Sequence, residues 1–335
     1  MSEEAAVHQN GQGEAETEAA LPVGPAEYRS TAFLFLIFVA TMGLALLFAR
    51  PFVAAGVQAF EDSSDVGNSL IYIAFILAFT FLLLWIARLG KTKVIQAIVL
   101  TAVGFTLLYV FLPLLAITFG LDQVWAAPGG LPLGPALLIG LVAAAGSVVW
   151  LYKNPEWYVV DVVGFLVAAG ASALFGISLD PLPIVVLLVL LAVYDAIAVY
   201  KTKHMLSLAD SVIELRLPVL LVIPKHRGYS FLEEASEFRK ASKENRGERE
   251  AMFMGLGDLV MPTMLVVAAS HYGGTQGWGA DPVLGTAVGT MVGFLALMGF
   301  VLKGNPQAGL PLLNGGAIAG FLVGLFTATG SLVFW

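Results

Sequence analysis

Nine apolar runs of about twenty residues set what this chain can fold into, because crossing a hydrocarbon core about 30 Å thick takes roughly that many helical residues. They lie near 31–49, 68–88, 94–119, 133–151, 159–178, 181–200, 252–271, 282–302 and 311–334. Backbone groups in lipid must find partners inside the protein, which leaves helices or a closed barrel. The alternating strand-length pattern of a barrel is missing. The expectation is an all-α polytopic membrane protein with nine transmembrane helices. Composition agrees, with 58% hydrophobic residues and 12% charged, against about 25% charged in soluble domains.

The charges give the chain a direction. Of seventeen Lys and Arg, only Arg50 falls in a connection after an odd-numbered helix; the other sixteen lie in the N-terminal tail or after even-numbered helices, ten of them from Lys201 to Arg249. Cytoplasmic loops carry the excess of positive charge. The reading is therefore a cytoplasmic N-terminus and, with an odd helix count, an outside C-terminus. Residues 1–30 form an acidic tail too poor in large apolar side chains to fold. Residues 31–200 hold helices one to six, 201–251 a cytoplasmic loop, and 252–335 helices seven to nine. Within the loop, Leu217–Pro224 is apolar, short and bounded by prolines, which suits an extended segment. Glu233 to Glu250 is of mixed charge and reads as a solvated connector. No basic stretch precedes a short apolar one, so no cleavable leader is expected. The net charge of −7 gives no reason to expect nucleic acid, and zero Cys excludes disulfides and thiolate chemistry.

Two acids interrupt the apolar runs. Asp195 lies six residues, about 9 Å, from the cytoplasmic end of the sixth helix at Lys201, and Asp258 lies eight residues, about 12 Å, from Glu250. Consecutive antiparallel helices tend to be neighbours, so the two can face each other. An Asp in mid-membrane costs roughly 2.5–3.5 kcal/mol on insertion scales and marks a functional site by default. Two carboxylates about 4 Å apart repel by about 4 kcal/mol at an effective dielectric of 20, so the pair is expected to share one proton. Such a pair holds an acid beside a base, the chemistry with which aspartic proteases activate water without metal or covalent intermediate. Gly255 and Gly257 bare the backbone beside Asp258, as close approach of a peptide requires, or as tight helix packing does. Tyr194 brings a hydroxyl beside Asp195 on a different helix face. Residue chemistry alone leaves two classes open: a protease, or a transporter using the same two aspartates as a proton or cation relay. A membrane scaffold would leave both acids unexplained.

Tyr194-Asp195 in one helix, Gly255-Leu256-Gly257-Asp258 in the next, and Leu310-Pro311-Leu312-Leu313 at the start of the last resemble the three motifs of the presenilin and signal peptide peptidase family of intramembrane aspartyl proteases. The resemblance covers roughly 30–335. It implies that Asp195 and Asp258 are the catalytic pair, that Pro311, Leu312 and Leu313 form the third motif with Leu312 where the family has Ala, and that no cofactor is needed. The orientation matches presenilins rather than signal peptide peptidases. Compact loops and the lack of any Asn-x-Ser/Thr sequon suit a microbial, archaeal-type homologue in the cell membrane. The partners implied are transmembrane protein or peptide substrates, with the N-terminus outside, in the lipid bilayer; homo-oligomerisation is left open. The family's extended segment upstream of the Gly-x-Gly-Asp helix can pair with unwound substrate, and 218–224 is the candidate here.

Other features read more plainly. Gly285, Gly289 and Gly293 on the eighth helix, and Gly316, Gly320 and Gly324 on the ninth, form ladders for close packing. Asp161, four residues after Trp157, reads as an interfacial acid. Pro311 predicts an extended approach to the ninth helix, and Asn314 a partner for freed backbone. Gly170-Ala171-Ser172-Ala173 with His271 resembles a rhomboid-type serine site but lacks its final Gly. There is no His-Glu-x-x-His zinc motif.

Overall fold

The computed structural model describes residues 25–60, 62–121, 125–126, 132–202, 220–226, 228–233, 250–303 and 307–333. Within them, nine long helices follow the nine apolar runs: α1 (Pro25–Ala54), α2 (Gly67–Arg88), α3 (Thr92–Pro113), α4 (Pro135–Lys153), α5 (Trp157–Ser178), α6 (Pro181–Ile197), α7 (Leu256–Gln276), α8 (Asp281–Val301) and α9 (Gly309–Thr329). Proline opens several of them, at Pro135 and Pro181 and in the first turn of α8, where its missing N–H costs nothing. Gly277 and Gly330, at φ of 72° and 70°, close α7 and α9 in the left-handed region that suits glycine. α3 and α6 each run on into a π-helical turn, Leu114–Thr118 and Ala198–Thr202.

Two short antiparallel pairs complete the described structure. β1 (Trp125–Ala126) pairs with β2 (Pro132–Leu133) between α3 and α4. β3 (Leu220–Pro224) pairs with β4 (Ala251–Gly255), Leu220 opposite Gly255 and Pro224 opposite Ala251. The extended reading of Leu217–Pro224 therefore holds over Leu220–Pro224. The rest of the expected connector, 234–249, and tail residues 1–24 lie outside the described residues.

Two boundaries are corrected. The tail expected to reach residue 30 gives way to α1 already at Pro25, whose first turns are tied to the end of β3 by Ser30 on the Pro224 carbonyl and Glu27 beside Lys225. The seventh helix begins at Leu256 rather than 252, because Ala251–Gly255 is drawn into the ladder with β3.

Eight of the nine helices are long and apolar enough to cross a membrane by themselves; α7 is not among them. It is instead the central helix, packed by α1, α5, α6, α8 and α9, with Leu259, Met264, Leu265, Val266 and Ala269 wholly buried. Of its polar residues Thr263 is wholly buried, while Ser270 and Gln276 at its far end are exposed. Around it, Phe38, Ile184, Leu187, Phe294, Leu313 and Phe321 close one large core. The closest helix pair is α8 with α9. A methyl placed on Gly285, Gly289, Gly316 or Gly320 would overlap backbone carbonyl oxygen of the facing helix, so the two ladders pack as the spacing predicted.

Candidate active site

Asp195 sits two residues from the end of α6, 3% exposed. The π-helical turn that follows re-aims the chain immediately after it; such turns recur at functional sites. Its Oδ2 accepts the Leu310 N–H at 3.1 Å, and the carboxylate also accepts the Gly309 N–H. These are the first two residues of α9, whose opening amides have no partner within the helix and carry its positive dipole end. A carboxylate from another helix supplies both needs.

Asp258 occupies the equivalent setting on its own helix. Gly255 caps α7, so Asp258 is the third residue of its first turn, and its carboxylate reaches back to the Gly255 N–H. This is the acidic half of a capping box. The sequence reading put Asp258 deep within a helix; it is near the start of one, because a strand rather than a helical turn carries the chain inward to it. Pro262, four residues on, lacks the N–H that would bond the Asp258 carbonyl in a regular helix.

The two acids converge. Asp195 lies within electrostatic reach of Asp258, and Gly309 lies against both: it donates to Asp195, and a methyl on it would stand 3.4–3.5 Å from all three atoms of the Asp258 carboxyl. Asp258 is partly exposed and Gly257, beside it, is open, with nothing within 4 Å of a methyl placed there.

The other expected residues divide. Leu256 is buried in the groove left by Gly164 on α5, where it fixes α7 rather than facing the acids. Tyr194 is 45% exposed, about 100° round α6 from Asp195. Pro311 and Leu312 are half-buried, and Leu313 is wholly buried in the core. The Leu312 carbonyl fills the space left by Gly293 on α8. What reaches Asp195 is thus the backbone of Gly309 and Leu310, just before Pro311, rather than a side chain of the motif. The expected extended approach to Pro311 ends at Ala308; Gly309 and Leu310 are already helical, as a proline in the first turn permits. Asn314, fully buried, donates from Nδ2 to the Leu188 carbonyl at 3.0 Å and ties α9 to α6. Tyr200 adds a second tie by donating to Gln307 Oε1 at 2.5 Å.

Two further expectations change. β3 has one edge on β4, and on the other edge Val222 N–H is held by Asp161 Oδ1 at 2.8 Å, so one amide of the 218–224 candidate is already engaged by the protein. Asp161 itself is only 8% exposed, enclosed by the protein near the start of α5. The serine alternative dissolves: Ser172 Oγ donates to Ala168 and Val260 carbonyls inside the α5–α7 contact, and His271 lies eleven residues, about 16 Å, further along α7 than Val260.

Residues 35–330 match the family described as signal-peptide peptidase, presenilin aspartyl protease. Among solved structures, a presenilin family intramembrane aspartate protease in a C222 crystal form is 38% identical, with 87% of this chain and 97% of that one covered and a TM-score of 0.59. A structure of a presenilin family intramembrane aspartate protease in a P2 form is also 38% identical, covering 92% and 99%, with a TM-score of 0.62. No curated protein matches the chain.

Proposed function

This chain belongs to the signal-peptide peptidase and presenilin family of intramembrane aspartyl proteases, and on that premise we propose that Asp195 and Asp258 are its catalytic pair, cleaving transmembrane substrates by activating water. The observation that carries the reading is Gly309, whose N–H donates to Asp195 and on which a single added methyl would stand 3.4–3.5 Å from the Asp258 carboxyl. Two acids held that close share one proton more readily than they carry two charges. The ionised member takes a proton from water as the water oxygen attacks the scissile carbonyl carbon. The protonated member donates to the carbonyl oxygen. Collapse of the tetrahedral intermediate breaks the C–N bond: the protonated member gives its proton to the leaving nitrogen while the ionised member takes one from a hydroxyl of the intermediate, and the pair again holds one proton. The amides of Gly309 and Leu310 keep the Asp195 carboxyl oriented through this cycle.

The open Gly257 backbone gives a peptide room to approach Asp258. A helical substrate must unwind to expose its scissile carbonyl. The nearest extended backbone that could receive it is the β3–β4 sheet, whose β4 strand runs directly into Gly255. The sixteen-to-one distribution of Lys and Arg supports a cytoplasmic N-terminus and an outside C-terminus in the cell membrane.

Purified protein in lipid vesicles with a transmembrane peptide tests the reading. Cleavage should be blocked by an aspartyl transition-state analogue and disappear in both Asp195→Ala and Asp258→Ala. Hydrolysis persisting in either variant, or ion flux without cleavage in the wild type, would overturn it, the second in favour of a relay.

A further inference from the structure

The outer edge of β3 is closed by two different helices. The Lys225 N–H donates to the Glu250 carbonyl at 3.0 Å, which makes 225 and 250 a hydrogen-bonded pair. Antiparallel pairs alternate, so 223 with 252 and 221 with 254 are bonded pairs, while Val222 and Pro224 turn their backbone groups away from β4. Two of these outward groups are taken up by helices. The Val222 N–H goes to Asp161 Oδ1 on α5 at 2.8 Å, the Pro224 carbonyl accepts from Ser30 Oγ on α1 at 3.2 Å, and Pro224 has no N–H to offer.

Asp161 is an unusual residue for this task. It lies in the second turn of α5, 8% exposed, and its Oδ2 is buried with no hydrogen-bond partner among the described residues. Burying a carboxyl half-satisfied is costly. Serine or threonine does the same kind of work elsewhere in this fold at less cost, as Ser30 does.

The β-hairpin that Asp161 holds leads without a break into Gly255 and then Asp258. A slip of β3 against β4 by one residue would turn every side chain to the other face, and a slip by two would move the chain about 7 Å. Either change would carry Gly255 out of its capping position and Asp258 away from Gly309.

We infer that Asp161 is a positioning residue for proteolysis: by holding the Val222 amide it locks the register of β3 and β4, and so sets which bond of an unwound substrate meets the two acids. The inference rests on Asp195 and Asp258 being the catalytic pair. Asp161 touches neither water nor substrate in this role.

The test uses the full chain in vesicles with a transmembrane peptide, reading kcat, KM, the masses of all products and the melting temperature. Asp161→Asn retains an oxygen that accepts the Val222 N–H and should keep the wild-type product set, with kcat within about threefold; Asp161→Leu should lower kcat about tenfold or more and add products cut one to three residues away. Val222→Pro removes the same bond from the other side, at a position that makes no hydrogen bond to β4, and should itself lower kcat about tenfold or more and add products cut one to three residues away, whether or not Asp161→Leu folds. The double variant should be no worse than the poorer single one, since both remove one interaction. A wild-type product set in Val222→Pro, or Asn and Leu equally impaired with products unchanged, would overturn the inference. If Asp195→Ala and Asp258→Ala are inactive in the same assay, that result strikes the register lock alone and leaves the catalytic pair standing.

Discussion

Replacing Gly293 by Ala should disable the enzyme from a position that touches neither acid. The added methyl would overlap the Leu312 carbonyl oxygen and stand 3.1 Å from its carbon and 3.3 Å from Leu313 Cα. All three are backbone, so no side chain can swing aside, and α9 must move off α8 by about 1 Å to restore ordinary contact, at a typical overpacking cost of about 1–3 kcal/mol. Leu312 is two residues from Leu310, whose N–H meets Asp195 Oδ2 at 3.1 Å. A shift of that size takes the bond to about 4 Å, beyond hydrogen-bonding range. Bonds to charged groups contribute about 1.5–3 kcal/mol, so cleavage should fall roughly tenfold to a hundredfold. The assay is peptide cleavage in vesicles beside a thermal melt, with Gly315→Ala on the facing helix α9 as control, since nothing lies within 4 Å of a methyl there. The control should keep full activity. Equal activity in Gly293→Ala and Gly315→Ala would refute the argument that the α8–α9 spacing holds Asp195.

Two further outcomes follow from the site. Gly257→Ala meets no atom of the protein, so its melting temperature should match the wild type while kcat/KM drops about tenfold, because the methyl occupies space a substrate backbone needs; unchanged kinetics would mean substrate does not approach there. The pH profile of kcat/KM should be bell-shaped, falling on the acid side when both carboxyls carry protons and on the alkaline side when neither does, with both flanks belonging to the pair. A profile with a single flank would argue against a shared proton.

The sequence disclosed the helices because the lipid demands a run of fixed length, and it disclosed the two acids because nothing apolar hides a carboxylate. It hid what depends on contacts between distant segments. Met252, Phe253 and Met254 continue the apolar run of the seventh helix without a change of pattern, and only pairing with Leu221, Val222 and Ile223 makes them a strand. Asp161 read as an interfacial acid because its burial comes from β3, sixty-one residues away. Gly309 and Leu310 act through N–H groups that every residue but proline possesses, so no side-chain motif could single them out.

The polarity of α7 bears on how the molecule is made. A segment carrying Asp258, Thr263, Ser270, His271, Tyr272 and Gln276 is a poor candidate to leave the translocon and wait alone among acyl chains. α1, α5 and α6 precede it in the chain, with α1 packed on α5, and α8 and α9 follow to complete its surroundings. The helix bearing the second acid therefore enters the membrane as a late guest of its neighbours, and integration of the final three helices is a folding step as much as an insertion step.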